Sequence, residues 1–149
     1  GQRWLIDAGF GGGHVPPIPL HDGAQAAGND GAIQRLRRDA DFGWMLERHF
    51  AGQCRNQYSF TDDTALAADI AMSNHWTATS PHSRFFRNVL VSQVTRDGLK
   101  SITNDQFSVQ RGEHTERTLI SGPQAMRTLL SEEFGIVLTP EEIDQLVLF

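Results

Sequence analysis

The sequence predicts an α+β fold, in which a mainly β first half is followed by one helix and then by a β meander covered by two helices. Strand-like segments separated by turn residues extend as far as Phe60. Apolar residues then recur at helical spacing, and a second series of strand-like segments ends in two capped helices. With 149 residues, the chain is long enough for one compact domain or two small lobes.

The first half predicts several strands joined by loops. Residues 4–8 have the apolar character of a strand, and a polar, small-residue segment at 22–31 predicts an exposed loop. Residues 33–38 predict a strand with one basic face. The segments 44–50 and 55–60 flank a glycine-containing loop of four residues, so we expect a hairpin there.

The central helix is expected over residues 62–75, with Thr61 or Asp62 as its cap and one face buried. Ser121 is expected to cap a later helix that has Pro123 in its first turn and ends at Gly135. Residues 139–142 (TPEE) form a capping box that opens a last short helix. The strands expected between these helices are 88–94, 99–103, 106–111 and 115–120.

The composition excludes several classes of protein. A net charge of −5 argues against a nucleic-acid binder that depends on bulk positive charge, and no apolar run is long enough for a membrane span. The single cysteine, Cys54, excludes an intramolecular disulfide and a cysteine-rich zinc site. His14 and His21, like His75 and His82, are seven residues apart, which matches no compact ligand motif, so we predict no metal site. A cytoplasmic location is expected.

Several candidate sites remain open on sequence chemistry alone. The glycines of residues 9–13 are followed by prolines, which argues against a dinucleotide fingerprint. Cys54 has no adjacent base in the sequence that would activate it as a nucleophile. The arginines at 35, 37 and 38 fit a solvated strand face or contact with an anionic cofactor. Asp7 fits either a cap of the glycine turn or the orienting carboxylate of a Cys–His–Asp triad.

Two blocks of the sequence resemble the arylamine N-acetyltransferases. Residues 4–12 (WLIDAGFGG), followed by Pro16, Pro19 and Leu20, resemble the family's VDVGFGG…P-x-x-PL stretch. Residues 74–85 (NHWTATSPHSRF) resemble its NWYTSTHPxSxF block, and residues 130–136 (LSEEFGI) resemble its LxxxFGI ending.

The resemblance implies a part of the family's three-domain fold: a β-barrel part with a C-terminal helix over 1–76, a connector over 77–87 and an α/β lid over 88–149. It also implies transfer of acetyl from acetyl-CoA to an aromatic amine or hydrazine, through an acetyl-cysteine. The motif positions imply a catalytic role for Asp7, substrate contacts for Phe10 and Phe85, and coenzyme A contacts for Gly11 and Ser83. We expect the ring of Phe10 to point outward from the strand end. No metal is implied.

The resemblance places the family's catalytic cysteine in an N-terminal helical domain and its histidine a short stretch before the aspartate, and neither position occurs in these residues. We therefore expect this chain to be the later part of a longer protein and to be inactive alone. Cys54 matches no part of the catalytic motif, and His75 stands where the family has Trp. The alternatives are a non-catalytic module that binds acyl-CoA or an aromatic ligand, and a relative of cysteine peptidases or transglutaminases.

Overall fold

The computed structural model describes residues 1–146, and it confirms a mixed fold with antiparallel sheets. The predicted strands and helices occur in the predicted order, and the structure adds two short strands, Ile18–Pro19 and Gln25–Ala27, and a short helix, Arg84–Arg87. Their bounds are β1 Trp4–Leu5, β2 Ile18–Pro19, β3 Gln25–Ala27, β4 Ile33–Asp39, β5 Gly43–Phe50, β6 Gln53–Phe60, α1 Ala67–Thr79, α2 Arg84–Arg87, β7 Leu90–Val94, β8 Gly98–Thr103, β9 Gln106–Arg111, β10 His114–Leu119, α3 Pro123–Phe134 and α4 Pro140–Asp144.

The β5–β6 hairpin is tighter than predicted. Its loop consists of Ala51 and Gly52 alone, which both have positive φ angles (49° and 73°). This is the backbone geometry of a two-residue hairpin turn that matches the twist of the strands. The tight turn sets the antiparallel register that places His49 opposite Cys54.

The first core lies under the sheet of order β3–β4–β5–β6. Leu36 and Leu46 face each other across β4 and β5 and are fully buried. The core cluster consists of Val15, Ile18, Ala24, Leu36, Trp44 and Leu46. The prediction of an exposed loop at 22–31 is therefore wrong in part, because the segment contains β3 and the buried residues Ala24 and Asp30.

The second four-stranded sheet is a meander of order β10–β9–β8–β7, in which short turns join strands that are neighbours in both sequence and sheet. Helices α3 and α4 complete the core that Ile102, Ile120, Met126, Leu130 and Ile143 form. Gly135 ends α3 with a left-handed backbone (φ 67°), and Thr139 and Glu142 form the predicted capping box of α4. The cap of α3 is Gly122, however, and not Ser121.

Helix α1 differs from its prediction at its start and in its burial. It begins at Ala67, where the carboxylate of Asp69 accepts a hydrogen bond from the backbone N–H of Leu66. None of its residues is buried, so the expected buried face is wrong for this chain. The predicted cap, Thr61 or Asp62, is wrong, because both precede Leu66, which holds the cap position; the Asp62 carboxylate instead accepts hydrogen bonds from the Trp44 indole and the Arg38 guanidinium.

The chain forms two compact units. One comprises residues 1–64, 94–99 and 110–115, and the other comprises residues 65–93, 100–109 and the described residues from 116 onward. The division into barrel part, connector and lid at residues 77 and 88 stays a prediction. Over residues 1–146, we find no helix that is both long and apolar enough to cross a membrane.

Candidate active site

Asp7 follows β1 and is held by two hydrogen bonds from different parts of the chain. Its Oδ1 accepts the backbone N–H of Gly9 at 3.0 Å, and its Oδ2 accepts the hydroxyl of Tyr58 at 2.6 Å. The first contact is the turn cap that the sequence suggested, while the second ties the carboxylate to β6, 51 residues away. A carboxylate has about four lone-pair sites, so two remain for a further donor.

Tyr58 is the residue of this site that the sequence analysis missed. Its ring lies 5.1 Å from that of Phe10 and 6.2 Å from that of Phe60, measured between centroids. Burial of the ring raises the pKa of Tyr58 well above its ordinary value, and the hydrogen bond to Asp7 and the charge of Asp7 raise it further. Tyr58 is therefore a neutral hydroxyl donor to Asp7 throughout the physiological pH range.

Phe10 is anchored on the first core, which corrects the expectation that its ring points outward. The ring is partly buried and packs against the core cluster beside Tyr58. The glycine loop makes room for it, because a Cβ atom at Gly12 would lie 2.6 Å from the ring. Gly11 is exposed and has a positive φ of 70°, which favours glycine.

Phe85 and Ser83 lie in the second unit, at the start of α2. The ring of Phe85 is 62% exposed. Ser83 is buried, and its hydroxyl donates to the Thr77 carbonyl and accepts the backbone N–H of Phe85. Both hydrogen bonds of this hydroxyl are therefore internal, and the predicted contact of Ser83 with coenzyme A stays a prediction.

Two arginines of β4 form ion pairs within the chain. These pairs do not decide between the two interpretations from the sequence, a solvated strand face and contact with an anionic cofactor. Arg37 contacts Glu47 and Asp39, each at 2.8 Å. Arg38 lies 3.8 Å above the Trp44 ring and pairs with Asp62. Arg35 is exposed.

Cys54 has a base beside it in the fold, although it has none beside it in the sequence. Its Sγ lies 3.5 Å from Nε2 of His49, which is its partner across the β5–β6 hairpin. The same Nε2 lies 3.3 Å from the Glu47 carboxylate. A catalytic relay uses the two nitrogens of the ring separately, one toward the nucleophile and one toward the acid, so this geometry does not match it.

A comparison with known families decides the relationship. A family model described as N-acetyltransferase matches residues 1–143, which is nearly the whole chain. This chain belongs to the N-acetyltransferase family. The resemblance that the blocks around Asp7 and Asn74 predicted is confirmed by this match and by relatives that are arylamine N-acetyltransferases.

Curated and solved members of the N-acetyltransferase family show how much of the fold is present. The arylamine N-acetyltransferase of Escherichia coli is 26% identical over 138 residues, which are 91% of this chain and 48% of that protein. The solved enzyme from Salmonella typhimurium has a TM-score of 0.87 at 22% identity, over 97% of this chain and 56% of that one. The solved arylamine N-acetyltransferase of Mycobacterium marinum in complex with CoA has a TM-score of 0.86 at 23% identity, over 97% of this chain and 55% of that one.

Coverage limits what these relatives share with this N-acetyltransferase chain. It spans about half the length of the curated relatives that it matches. The solved arylamine N-acetyltransferase of M. tuberculosis shows the same proportion, with 28% identity, a TM-score of 0.81, and coverage of 89% of this chain and 49% of that one. The fold of this half is therefore shared.

Proposed function

We propose that this chain supplies the aspartate of a Cys–His–Asp triad in an acetyl-CoA-dependent arylamine N-acetyltransferase. In this proposal, both the cysteine, in an N-terminal helical domain, and the histidine, a short stretch before Asp7, lie outside these 149 residues. The observation that carries the proposal is the fixed carboxylate of Asp7, which the Gly9 N–H and the Tyr58 hydroxyl hold from two sides. The family match over residues 1–143 supports the reaction class.

Asp7 acts as the orienting group. One of its free lone pairs accepts the N–H of the histidine, which fixes the ring tautomer and stabilises the imidazolium. Tyr58 donates to the opposite side of the carboxylate, so Asp7 cannot rotate away without losing a charge-assisted hydrogen bond.

The reaction proceeds in two acyl transfers. The cysteine thiolate attacks the thioester carbon of acetyl-CoA, and the leaving CoA thiolate takes a proton from the imidazolium. The amine then attacks the acetyl-cysteine, loses its proton to the imidazole and leaves as the amide, which restores the free cysteine.

The aromatic substrate contacts the rings of Phe10 and Phe85 in this proposal. Phe10 offers a ring that is partly buried and fixed against Tyr58, close in sequence to Asp7. Phe85 offers a largely exposed ring. Apolar aromatic faces of this kind favour a flat aromatic amine or hydrazine. Gly11 and Ser83 remain the proposed neighbours of coenzyme A.

The test is an acetyl-transfer assay on the longest polypeptide that the coding sequence encodes around these residues. We expect Asp7→Asn to lower kcat on the order of 10⁴-fold, as the equivalent change does in a serine triad. Tyr58→Phe leaves the carboxylate charged but removes one of its two hydrogen bonds. We expect kcat to fall about tenfold, which corresponds to the free energy of one charge-assisted hydrogen bond. Asp41→Asn changes an exposed carboxylate of the same unit and serves as the control.

Two results would contradict the proposal. The first is an Asp7→Asn enzyme that remains folded and retains a rate within about tenfold of the unchanged enzyme, since Asp7 would then be only a turn cap. The second is a full-length protein that transfers no acetyl group and yet binds CoA or an aromatic amine in a calorimetric titration. This second result would support the non-catalytic binding module.

A further inference from the structure

Three side chains with metal-ligating atoms converge on the β5–β6 hairpin. Glu47 and His49 are two residues apart on β5 and so share one face of the strand. The hairpin register brings Cys54 of β6 opposite His49. As a result, a carboxylate oxygen, an imidazole nitrogen and a thiol sulfur all lie within 4.8 Å of one another.

Two of the three distances between these atoms, the two that involve the imidazole nitrogen, match the edges of a zinc tetrahedron. Ordinary Zn–S, Zn–N and Zn–O bond lengths at tetrahedral angles place sulfur about 3.6 Å and oxygen about 3.4 Å from the nitrogen. In this structure, Nε2 of His49 lies 3.5 Å from Sγ of Cys54 and 3.3 Å from Oε2 of Glu47. Nε2 has two close neighbours but carries only one hydrogen or one lone pair. A cation between the three atoms would contact all of them at once, because it accepts one lone pair from each.

The carboxylate of Glu47 is already oriented for such a role. Arg37 Nε donates to its Oε1 at 2.8 Å, which leaves Oε2 for the side that faces His49. Glu47 is buried, and Arg37 is itself held by Asp39 at 2.8 Å. Ligating carboxylates in metal proteins are commonly fixed by an outer hydrogen bond of this kind.

The cluster borders a depression of about 440 Å³ that is open to solvent. His49 and Cys54 line it together with two further acidic residues, Asp30 and Glu113, and Cys54 is exposed. A cation can therefore reach His49 and Cys54 from solvent, with the buried Glu47 carboxylate 3.3 Å behind Nε2 of His49. A mixed set of thiolate, imidazole and carboxylate suits zinc, whereas magnesium and calcium prefer oxygen ligands alone.

We propose that Glu47, His49 and Cys54 bind one zinc ion, with the fourth position open to the depression for water or for a donor atom of a ligand. The site is independent of the acetyl-transfer proposal, because it uses none of the residues assigned to that reaction. The prediction of no metal site rested on the single cysteine and on histidine spacings, which do not detect ligands that a hairpin register brings together.

The test uses the purified chain, kept reduced with a phosphine and freed of metal with a chelator. Zinc affinity is measured by competition with a chromogenic chelator, and cobalt(II) serves as a spectroscopic probe of the ligands. We expect one zinc ion per chain, and a cobalt complex with a thiolate-to-cobalt charge-transfer band. Cys54→Ser should remove that band, and both Cys54→Ser and His49→Gln should weaken zinc binding at least about tenfold.

The controls separate this site from chance binding to surface histidines. His82→Gln removes an exposed histidine of the other unit and should leave zinc affinity unchanged. Glu47→Gln tests the buried ligand, but it also weakens the ion pair of Glu47 with Arg37. Cys54→Ser is therefore the deciding variant, because Cys54 is exposed and its substitution does not disturb the fold. Equal zinc affinity in the unchanged and Cys54→Ser chains, or a cobalt spectrum without the thiolate band, overturns the proposal.

Discussion

The hydrogen bond between Tyr58 and Asp7 makes a quantitative prediction about tyrosine ionisation. Burial, the hydrogen bond to Asp7 and the charge of Asp7 all raise the pKa of Tyr58. The chain has a single tyrosine, so the near-ultraviolet absorbance of tyrosinate reports this residue alone. We expect the folded chain to titrate well above the ordinary tyrosine value of about 10, and the chain unfolded in urea to titrate near it.

The same hydrogen bond contributes to stability with a defined pH dependence. We expect Tyr58→Phe to lower the free energy of unfolding by about 1.5 kcal/mol, the lower end for a bond to a charged group, because Asp7 is only half-buried. Since the folded state holds the tyrosine proton more tightly, the contribution is complete below about pH 10 and is lost as the pH rises toward the raised pKa. The difference between the two chains in urea unfolding should therefore be constant from neutral pH up to about pH 10 and shrink above it.

Asp7→Asn provides the matched variant for this titration. It removes the charge of Asp7 and leaves the burial of Tyr58, so we expect the folded-state titration to move down toward the ordinary value without reaching it. A folded chain whose tyrosine titrates near pH 10 before any substitution would refute the hydrogen bond and the burial together. A Tyr58→Phe chain of unchanged stability at neutral pH would refute its energetic role.

Three further predictions concern the aromatic rings and the isolated chain. Phe10→Ala should lower the free energy of unfolding by about 1–3 kcal/mol in urea titrations, because the ring packs against Tyr58 and the core, and it should raise the KM for an aromatic amine in the full-length protein. Phe85→Ala should change the free energy of unfolding by less than about 0.5 kcal/mol, since the ring is 62% exposed, and it should also raise the KM for the aromatic amine. A large loss of stability would show that Phe85 has a structural role instead. The 149-residue chain alone should transfer no acetyl group from acetyl-CoA to an arylamine, with or without Cys54→Ala; turnover that survives this substitution would contradict the assignment of the triad.

Local sequence patterns predicted the elements whose structure depends on near neighbours. The β5–β6 hairpin, the end of α3 at Gly135 and the Thr139 capping box were all predictable, because turn and cap residues act over a few positions. The predicted cap of α3 was wrong by one residue, because Ser121 and Gly122 are adjacent and both residue types are common at helix caps.

The candidate sites depend on contacts between distant positions, which local patterns do not contain. Asp7 was identified through its motif, but nothing near it in the sequence indicates that Tyr58 donates to it. A period-two pattern places Tyr58 and Phe60 on one face of β6, which is the only local signal for that contact. The pairing of His49 with Cys54 required the loop length of the hairpin, and the predicted four-residue loop gave a different register.

The exposure of α1 has a consequence for how this part of the chain becomes ordered. A helix of thirteen residues is marginally stable in water by itself, and most helices in proteins depend on burial of one face. Here Ile70 and Trp76 are each more than half exposed, so the helix depends on its backbone hydrogen bonds, on the Asp69 cap and on the hydrogen bond from the Ser83 hydroxyl to the Thr77 carbonyl. Any molecule that covers these two side chains in the helical state alone would therefore slow amide hydrogen exchange along α1, because its binding free energy adds to that of helix formation.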